Sequence, residues 1–334
     1  MKYLASLILW PGLYFGGLLS TYFALSTSRP ILWFNVIYFV IVALLAVFER
    51  LMPHSTDWLE PDGETINNIA HTLLTKGLVQ AAAMIGASFP MVLALVALPP
   101  VPDASSLWPH AWPMPVQVLL ALVIAEFGLY SAHRLAHEHL ALWRFHALHH
   151  SVTRLWVVNT GRFHFLDSLF KIVVSQAPLY LLGAPLDVFL WVGAVTAFTG
   201  LLTHCNVEMR TGILDYVVST PRLHRWHHSI NLEEGNKNYG ENLVVWDLLL
   251  GTYFNPNRPS STTIGISGTV ATNFWGQLRQ PFTRKGTREL LGKRPKVEQK
   301  RREPEVSGDV GRTTATVGSG NPLGTVSIKQ NPSG

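Results

Sequence analysis

Six stretches of this 334-residue chain contain no Asp, Glu, Lys or Arg: residues 3–28, 30–48, 77–102, 104–125, 172–186 and 188–207. A helix of about 20 apolar residues crosses about 30 Å of hydrocarbon, and a backbone in lipid must satisfy its own hydrogen bonds. The pattern therefore restricts the chain to an all-α bundle of about four to six membrane helices. We expect helices near 4–24, 31–48, 77–98, 115–137, 168–182 and 186–204. The fifth is short and contains Pro178, and Leu182-Gly-Ala-Pro185 reads as a tight turn. The fifth and sixth then form a hairpin that need not cross the bilayer completely. Charged residues are only 14% of the chain, against about 25% in ordinary soluble domains. With 48% hydrophobic residues and a mean hydropathy of +0.22, a disordered chain or a typical soluble globule is excluded. The first apolar run holds Pro11 and Gly12 and lacks a clear small-x-small site before Arg29, so it reads as an uncleaved span.

Charge sets the expected orientation. With a cytoplasmic N-terminus and six alternating spans, the outer connections fall near 25–30, 99–114 and 183–185. Of 26 Lys and Arg, only Arg29 lies there. The positive-inside rule then places both termini, and every histidine from His133 to His228, at or near the cytoplasmic face. Residues 277–334 hold 12 basic and 5 acidic side chains, so the basic balance belongs to the tail and gives no nucleic-acid surface. We divide the chain into N-terminal membrane helices (1–115), a histidine-rich metal domain (116–256), a basic cytoplasmic segment (257–302) and a disordered tail (303–334). The basic run from Lys293 to Arg302 suits either anionic headgroups or a solvated tail. No repeat of solenoid or propeller period is present.

Eleven of the 14 histidines fall between His133 and His228. His133 and His137 stand at i and i+4, so on a helix they share one face. His146-Ala-Leu-His149-His150 and His224-Arg-Trp-His227-His228 repeat one H-x-x-H-H spacing, from which three imidazoles should converge. A lone histidine is ordinarily a satisfied core residue, but no packing requirement asks for eight at these spacings. His204, at the inner end of the sixth span, is a ninth candidate ligand. His164 stands between ligand, supporting residue and surface. His139, off the face of His133 and His137, is a weaker candidate, and His54, His71 and His110 are isolated. Cys205, the only cysteine, rules out an intramolecular disulfide and reads as a small buried residue.

Neutral imidazole suits zinc, copper and iron. A tetrahedral site takes four ligands, so eight to ten histidines imply two ions. H-E-x-x-H is absent, since Glu138 follows the second histidine of its pair. Histidine-rich ligation without an obvious bridging carboxylate, at a membrane face, points to a non-haem di-iron centre that activates O2 against an unactivated C–H bond.

The same residues resemble the fatty acid hydroxylase (sterol desaturase) superfamily of integral-membrane di-iron oxygenases. The resemblance runs through His133-Arg-Leu-Ala-His137-Glu, Leu142-Trp-Arg-Phe-His146-Ala-Leu-His149-His150-Ser, Thr203-His204-Cys-Asn206, Thr220-Pro-Arg-Leu-His224-Arg-Trp-His227-His228, Asn238-Tyr-Gly-Glu-Asn-Leu-Val-Val-Trp246-Asp247 and Gly251-Thr-Tyr-Phe254. It covers roughly 116–256 and is nearer bacterial than fungal members, which implies the inner membrane. It implies metal ligation by His133, His137, His146, His149, His150, His224, His227 and His228, with His204 matching a further family histidine. It also implies hydroxylation, desaturation or ether-lipid cleavage of a fatty acyl, sterol or polar lipid substrate, with two irons, O2 and electrons from NAD(P)H through a separate protein, since no cytochrome b5-like domain is fused. Where the family often has His-Pro-x-Glu, this chain has His164-Phe-Leu-Asp167.

A ligating histidine usually donates its other N–H to a carboxylate or carbonyl. Glu126, Glu138, Asp167, Asn206, Glu241 and Asp247 are candidates, Asp167 and Asn206 also as ligands. Glu126 lies seven residues before His133 inside an apolar run, where a carboxylate suggests function, the alternative being a place at headgroup level. We assign Glu126 and Asp247 a catalytic part; Asp247 could equally pair with an arginine of the site loops. Trp143, Trp156, Trp246 and Phe254 read as interfacial or core aromatics. Two competing readings are a membrane zinc hydrolase using the same histidines and a non-enzymatic metal carrier or sensor. A transporter is disfavoured, because no paired broken helices mark a midplane site.

Overall fold

The computed structural model describes residues 2–79 and 107–291. Apart from residues 77–79, the expected third span lies outside them, as do the basic run from Lys293 and the tail from 303. All regular structure among the described residues is helical, with three isolated β-bridges, as the sequence predicts. The elements are α1 (Lys2–Leu25), α2 (Pro30–Leu51), α3 (Thr65–Ala70, continued by a π-helix over His71–Gly77), α4 (Met114–Glu138), α5 (Leu140–His150), α6 (Phe165–Leu182), α7 (Leu186–His204), α8 (Pro221–His227), α9 (Val245–Leu250), α10 (Phe274–Arg279) and α11 (Arg284–Leu291).

Five of these, α1, α2, α4, α6 and α7, are long and apolar enough to cross a membrane. The shortest, α6, has 18 residues, about 27 Å at 1.5 Å per residue. Its hairpin with α7 follows from the turn sequence. Gly183 takes the left-handed conformation (φ 82°) that ends α6, and Pro185 caps α7. The amide of Ala184 reaches back to the carbonyl of Leu179 at 3.0 Å.

The common core sits on α7. Val188, Val192, Phe198, Leu201 and Leu202 are buried there against Trp10 and Tyr14 of α1, Ile41 and Leu45 of α2, and Ala121 and Ala125 of α4. The outer faces of α1 and α2 remain apolar and exposed (Phe15, Leu19, Phe39, Val47), as lipid-facing surfaces should. Helices α4 and α6 approach at Gly128, where a Cβ would lie 2.4 Å from the carbonyl oxygen of Val174. Only glycine lets the two backbones come so close.

Buried polar groups tie the loops to this bundle. Glu49, at the end of α2, accepts hydrogen bonds from the amides of Val157 (2.7 Å) and Asn206 (3.0 Å). Arg162 joins Glu64 (2.7 Å) and Asn68 (2.8 Å) to the end of α5 through the carbonyl of Leu148 (3.3 Å). Arg225 donates to the carbonyls of Cys205 and Val207. These contacts pin α5, α8 and the end of α7 to one another, and all three carry histidines.

Candidate metal centre

Three local events in the chain build the site. Helix α4 delivers His133 and His137 from its last two turns and stops at His139, whose extended backbone (φ −114°, ψ 119°) turns the chain straight into α5. The last turn of α5 carries His146, His149 and His150. Thr220 caps α8, its side chain accepting from the amide of Leu223, and Pro221 occupies the first turn, where no N–H is needed. His224 and His227 then follow on α8, and His228 closes it.

Nine histidines gather into two groups. His133, His137, His146, His150 and His227 form one, and His149, His204, His224 and His228 the other; within each, the candidate ligand atoms lie within 4.8 Å of one another. The expectation that each H-x-x-H-H brings three imidazoles to one point is thereby corrected. His146 and His150 go to the first group and His149 to the second, while His224 and His228 go to the second and His227 to the first. At 100° per residue, positions i and i+4 differ by about 40° and stay together, whereas i+3 swings about 60° the other way. Each motif therefore feeds both groups.

The hydrogen bonds fix which nitrogen faces inward. Nδ1 of His133 meets the carbonyl of Tyr239 at 2.8 Å, Nδ1 of His227 that of Lys237 at 2.7 Å, Nδ1 of His146 the carboxylate of Asp167 at 2.9 Å, and Nδ1 of His137 the side-chain oxygen of Asn236 at 3.0 Å. Each Nδ1 thus carries the proton and donates outward, and each Nε2 presents a lone pair inward. Nε2 of His133 and of His227 is buried with no hydrogen-bond partner. Nε2 of His150 stands 3.1 Å from Nε2 of both His137 and His146. One proton on His150 can bridge only one of those contacts, so lone pairs are left facing one another. In the second group, Nδ1 of His204 meets Asn159 at 3.2 Å, and four Nε2 atoms run in series from His204 to His224 (2.9 Å), His228 (3.1 Å) and His149 (3.2 Å). Converging lone pairs without donors repel, and a cation at each point removes the repulsion. The donor set fits two metal ions of the imidazole-binding kind.

Burial holds His146, His149, His150, His224 and His228 below the usual imidazole range and pulls His227 down to about 3. All six are neutral at pH 7, the form that ligates a metal.

One loop supports the first group. Residues 236–242 present the carbonyls of Lys237 and Tyr239 to His227 and His133, with Asn238 at φ 53°. Asp247 accepts from the amides of Tyr239 (2.8 Å) and Gly240 (2.7 Å) and from Thr252 (2.7 Å). Glu126 accepts from the amides of Glu241 (2.6 Å) and Asn242 (3.0 Å). The two carboxylates expected to be catalytic therefore grip this loop and do not touch the histidines; the geometry gives them a positioning part.

Asp167, one of the six candidate supporting residues and also a candidate ligand, lies 2.9 Å from Nδ1 of His146. Asn206 does not reach the histidines but pairs with the backbone of Ser55 (3.0 and 2.9 Å). His164 is not brought to either group: its Nδ1 accepts from Leu166 at the start of α6 and its Nε2 meets the carbonyl of Leu278. Glu138 pairs with Arg134 at 2.7 Å; Glu241 pairs with buried Lys171 at 2.6 Å, and its Oε1 lies 3.8 Å from Nδ1 of His133. His54 and His71, expected to stand apart from the site as ordinary hydrogen-bonded histidines, bond Glu208 and Gln277. Sequence reasoning missed Asn159, Asn236 and the carbonyls of Lys237 and Tyr239. Only the Asn238-Tyr-Gly-Glu-Asn run hinted at the last two.

A family model described as fatty acid hydroxylase matches residues 118–252. The chain is 67% identical to the ornithine lipid hydroxylase OlsE of Rhizobium tropici over 87% of its own length and 88% of that protein's. It is 33% identical to an alkylglycerol monooxygenase of Danio rerio, covering 44% of this chain and 31% of that one. A fatty acid hydroxylase, vlmA, of a Lecanicillium species is 29% identical over 45% of the chain. No solved structure matches it.

Proposed function

The chain belongs to the fatty acid hydroxylase family and is a membrane-bound lipid hydroxylase; from that premise we propose that it binds two irons and inserts oxygen into an ornithine lipid or a closely similar polar lipid. The observation that carries the metal assignment is the pair of histidine groups whose Nε2 lone pairs face inward. The lipid follows from the 67% identity to an ornithine lipid hydroxylase over nearly the whole of both chains. The zinc hydrolase reading is not favoured. The relatives are named hydroxylases and monooxygenases, and both groups consist of imidazoles, with Asp167 already bonded to His146.

In this reading His133, His137, His146, His150 and His227 hold one iron, and His149, His204, His224 and His228 the other. Bound there, iron supplies the O2-derived oxidant that no side chain can provide for an unactivated C–H bond. The protein's own work is orientation and exclusion. Asp167, Asn236 and the carbonyls of Lys237 and Tyr239 keep the protons on Nδ1, so the ligating lone pairs stay aimed. Glu126 and Asp247 stiffen the loop that carries those two carbonyls. Phe163, buried and stacked on His149, helps keep bulk water away. Electrons reach the centre from NAD(P)H through a separate carrier, and the site and both termini face the cytoplasm, the orientation favoured by the distribution of Lys and Arg.

The test is direct. The purified protein is expected to carry two irons per chain. Given a reductant system, it should transfer one atom of isotopically labelled O2 to ornithine lipid, read by mass spectrometry of the lipid. A fully active preparation containing zinc and consuming no O2 would overturn the assignment.

A further inference from the structure

Residues 65–79 pack on the loop that leads into α6. Thr75 donates to the carbonyl of Phe163 at 2.7 Å, and at Gly161 a Cβ would lie 2.3 Å from Oγ1 of Thr72. The segment runs as a π-helix over His71–Gly77, a geometry that often marks functional sites. Its polarity is inverted relative to a soluble helix. Leu73, Leu74 and Leu78 are more than half exposed, whereas Lys76 turns inward. A lysine flanking an apolar stretch ordinarily extends its stem toward the headgroups. Here the ammonium instead lies over the ring of Phe163, 4.9 Å from its centroid.

That ring leads to the metal centre. Phe163 stacks on His149 of the second group, with centroids 4.1 Å apart and 14° between planes. A second ammonium, that of Lys171, stands 5.0 Å from the same ring, but Glu241 neutralises it at 2.6 Å. Lys76 makes no salt bridge of its own among the described residues; Glu241 and Asp167 attract it only from a distance, each already bonded elsewhere, to Lys171 and His146. An ammonium with no direct carboxylate partner, one aromatic ring from a candidate oxygenase centre, has hydrogen-bond donors to offer an anionic guest. Desolvation lowers the pKa of Lys76, so an anionic guest would restore its charge as it binds.

We propose that Lys76 is the headgroup-recognition residue of the lipid site, its ammonium taking an anionic oxygen of the headgroup and so fixing how far the lipid reaches along Phe163 toward the His149 group. The ligand chemistry is a carboxylate, such as that of an ornithine lipid, or a headgroup phosphate. The inference rests on the reading of this chain as a polar-lipid hydroxylase and goes beyond it by naming the residue that selects the headgroup.

The experiment measures binding separately from turnover. The metal-loaded full chain in neutral detergent is titrated with ornithine lipid, with its carboxyl methyl ester and with phosphatidic acid, and affinity is read from ligand-induced thermal stabilisation. Wild type should bind ornithine lipid about ten- to hundredfold more tightly than the ester, the span of a charge-assisted hydrogen bond. Lys76→Met should bind acid and ester alike, at the wild-type level for the ester, and Lys76→Arg should keep the preference. Phosphatidic acid binding as tightly as ornithine lipid would assign Lys76 to any anionic headgroup; weaker binding would assign it to the carboxylate. Equal affinity of wild type for acid and ester, a preference unchanged in Lys76→Met, or no binding of either anionic lipid would overturn the proposal. Should Lys76→Met not insert, the wild-type comparison and Lys76→Arg still decide. An acid preference without oxygen transfer to ornithine lipid would sink the substrate reading and leave the Lys76 assignment standing.

Discussion

The rings of His150 and His228 lie stacked, centroids 4.4 Å apart and 23° between planes, although they belong to different histidine groups. The seam between the two candidate metal positions therefore runs between these two side chains. Removing either ring takes a ligand from one group and the packing support from the other. His150→Ala and His228→Ala should each lower metal content at both positions and abolish product formation, while the protein still inserts in the membrane. Metal analysis of detergent-purified variants checks this; one ion fully retained would show that the two positions load independently.

Asp167 orients His146 from behind at 2.9 Å. Asp167→Asn keeps the shape but removes the charge that favours a proton on Nδ1. Metal affinity or turnover should fall by about 10–100-fold, the usual loss when a ligand's supporting partner is changed. Competition with a chelator of known affinity measures it, and an unchanged affinity would show that His146 needs no such support.

Glu126 accepts two backbone amides of the loop behind His133. Glu126→Gln sets an NH2 group against one of them, at a cost of about 1–3 kcal/mol. The expected outcome is a lower melting temperature and weaker metal retention, with the KM for lipid unchanged. A variant with normal stability and full metal content but lost turnover would instead place Glu126 in the reaction itself.

Acid should weaken the metal-free protein in a defined window. Burial lowers the pKa of the imidazoles on α5 and α8 from 6.5, and that of His227 to about 3. The unfolded chain takes up protons near pH 6.5 that the native chain refuses, so native stability falls as pH drops through that value. Melting temperatures of the metal-free protein should decline from about pH 7.5 to 5.5, and bound metal should move the decline to lower pH. A flat profile over that interval would mean that the imidazoles take up protons in the folded chain as they do in the unfolded one.

Gly128→Ala tests the close contact of α4 with α6. The added Cβ meets the carbonyl of Val174 at 2.4 Å, so the helices must separate, at a cost of about 1–3 kcal/mol for overpacking. Because α4 carries His133 and His137, activity should fall along with thermal stability; a fully active, equally stable variant would show that the pair has slack.

Much of the architecture was legible because charge is excluded from lipid. The uncharged runs located α1, α2, α4, α6 and α7 to within a few residues, and Gly183 with Pro185 marked the hairpin. The histidines were legible as a set, since spacing along a helix reports which rings share a face. Their division between two groups was not, because it depends on how α4, α5, α7 and α8 meet in space. The roles of Glu126 and Asp247 escaped for a related reason. A sequence shows that a carboxylate is buried, but not that two backbone amides from a loop more than a hundred residues away will reach Glu126. The carbonyls of Lys237 and Tyr239 leave no trace in residue type at all.

Because α5 and α8 each contribute to both histidine groups, capture of a first ion would draw the ligands of the second into register. Occupancy should then be cooperative. When metal is scarce, the population should divide into doubly filled and empty molecules, with few carrying a single ion.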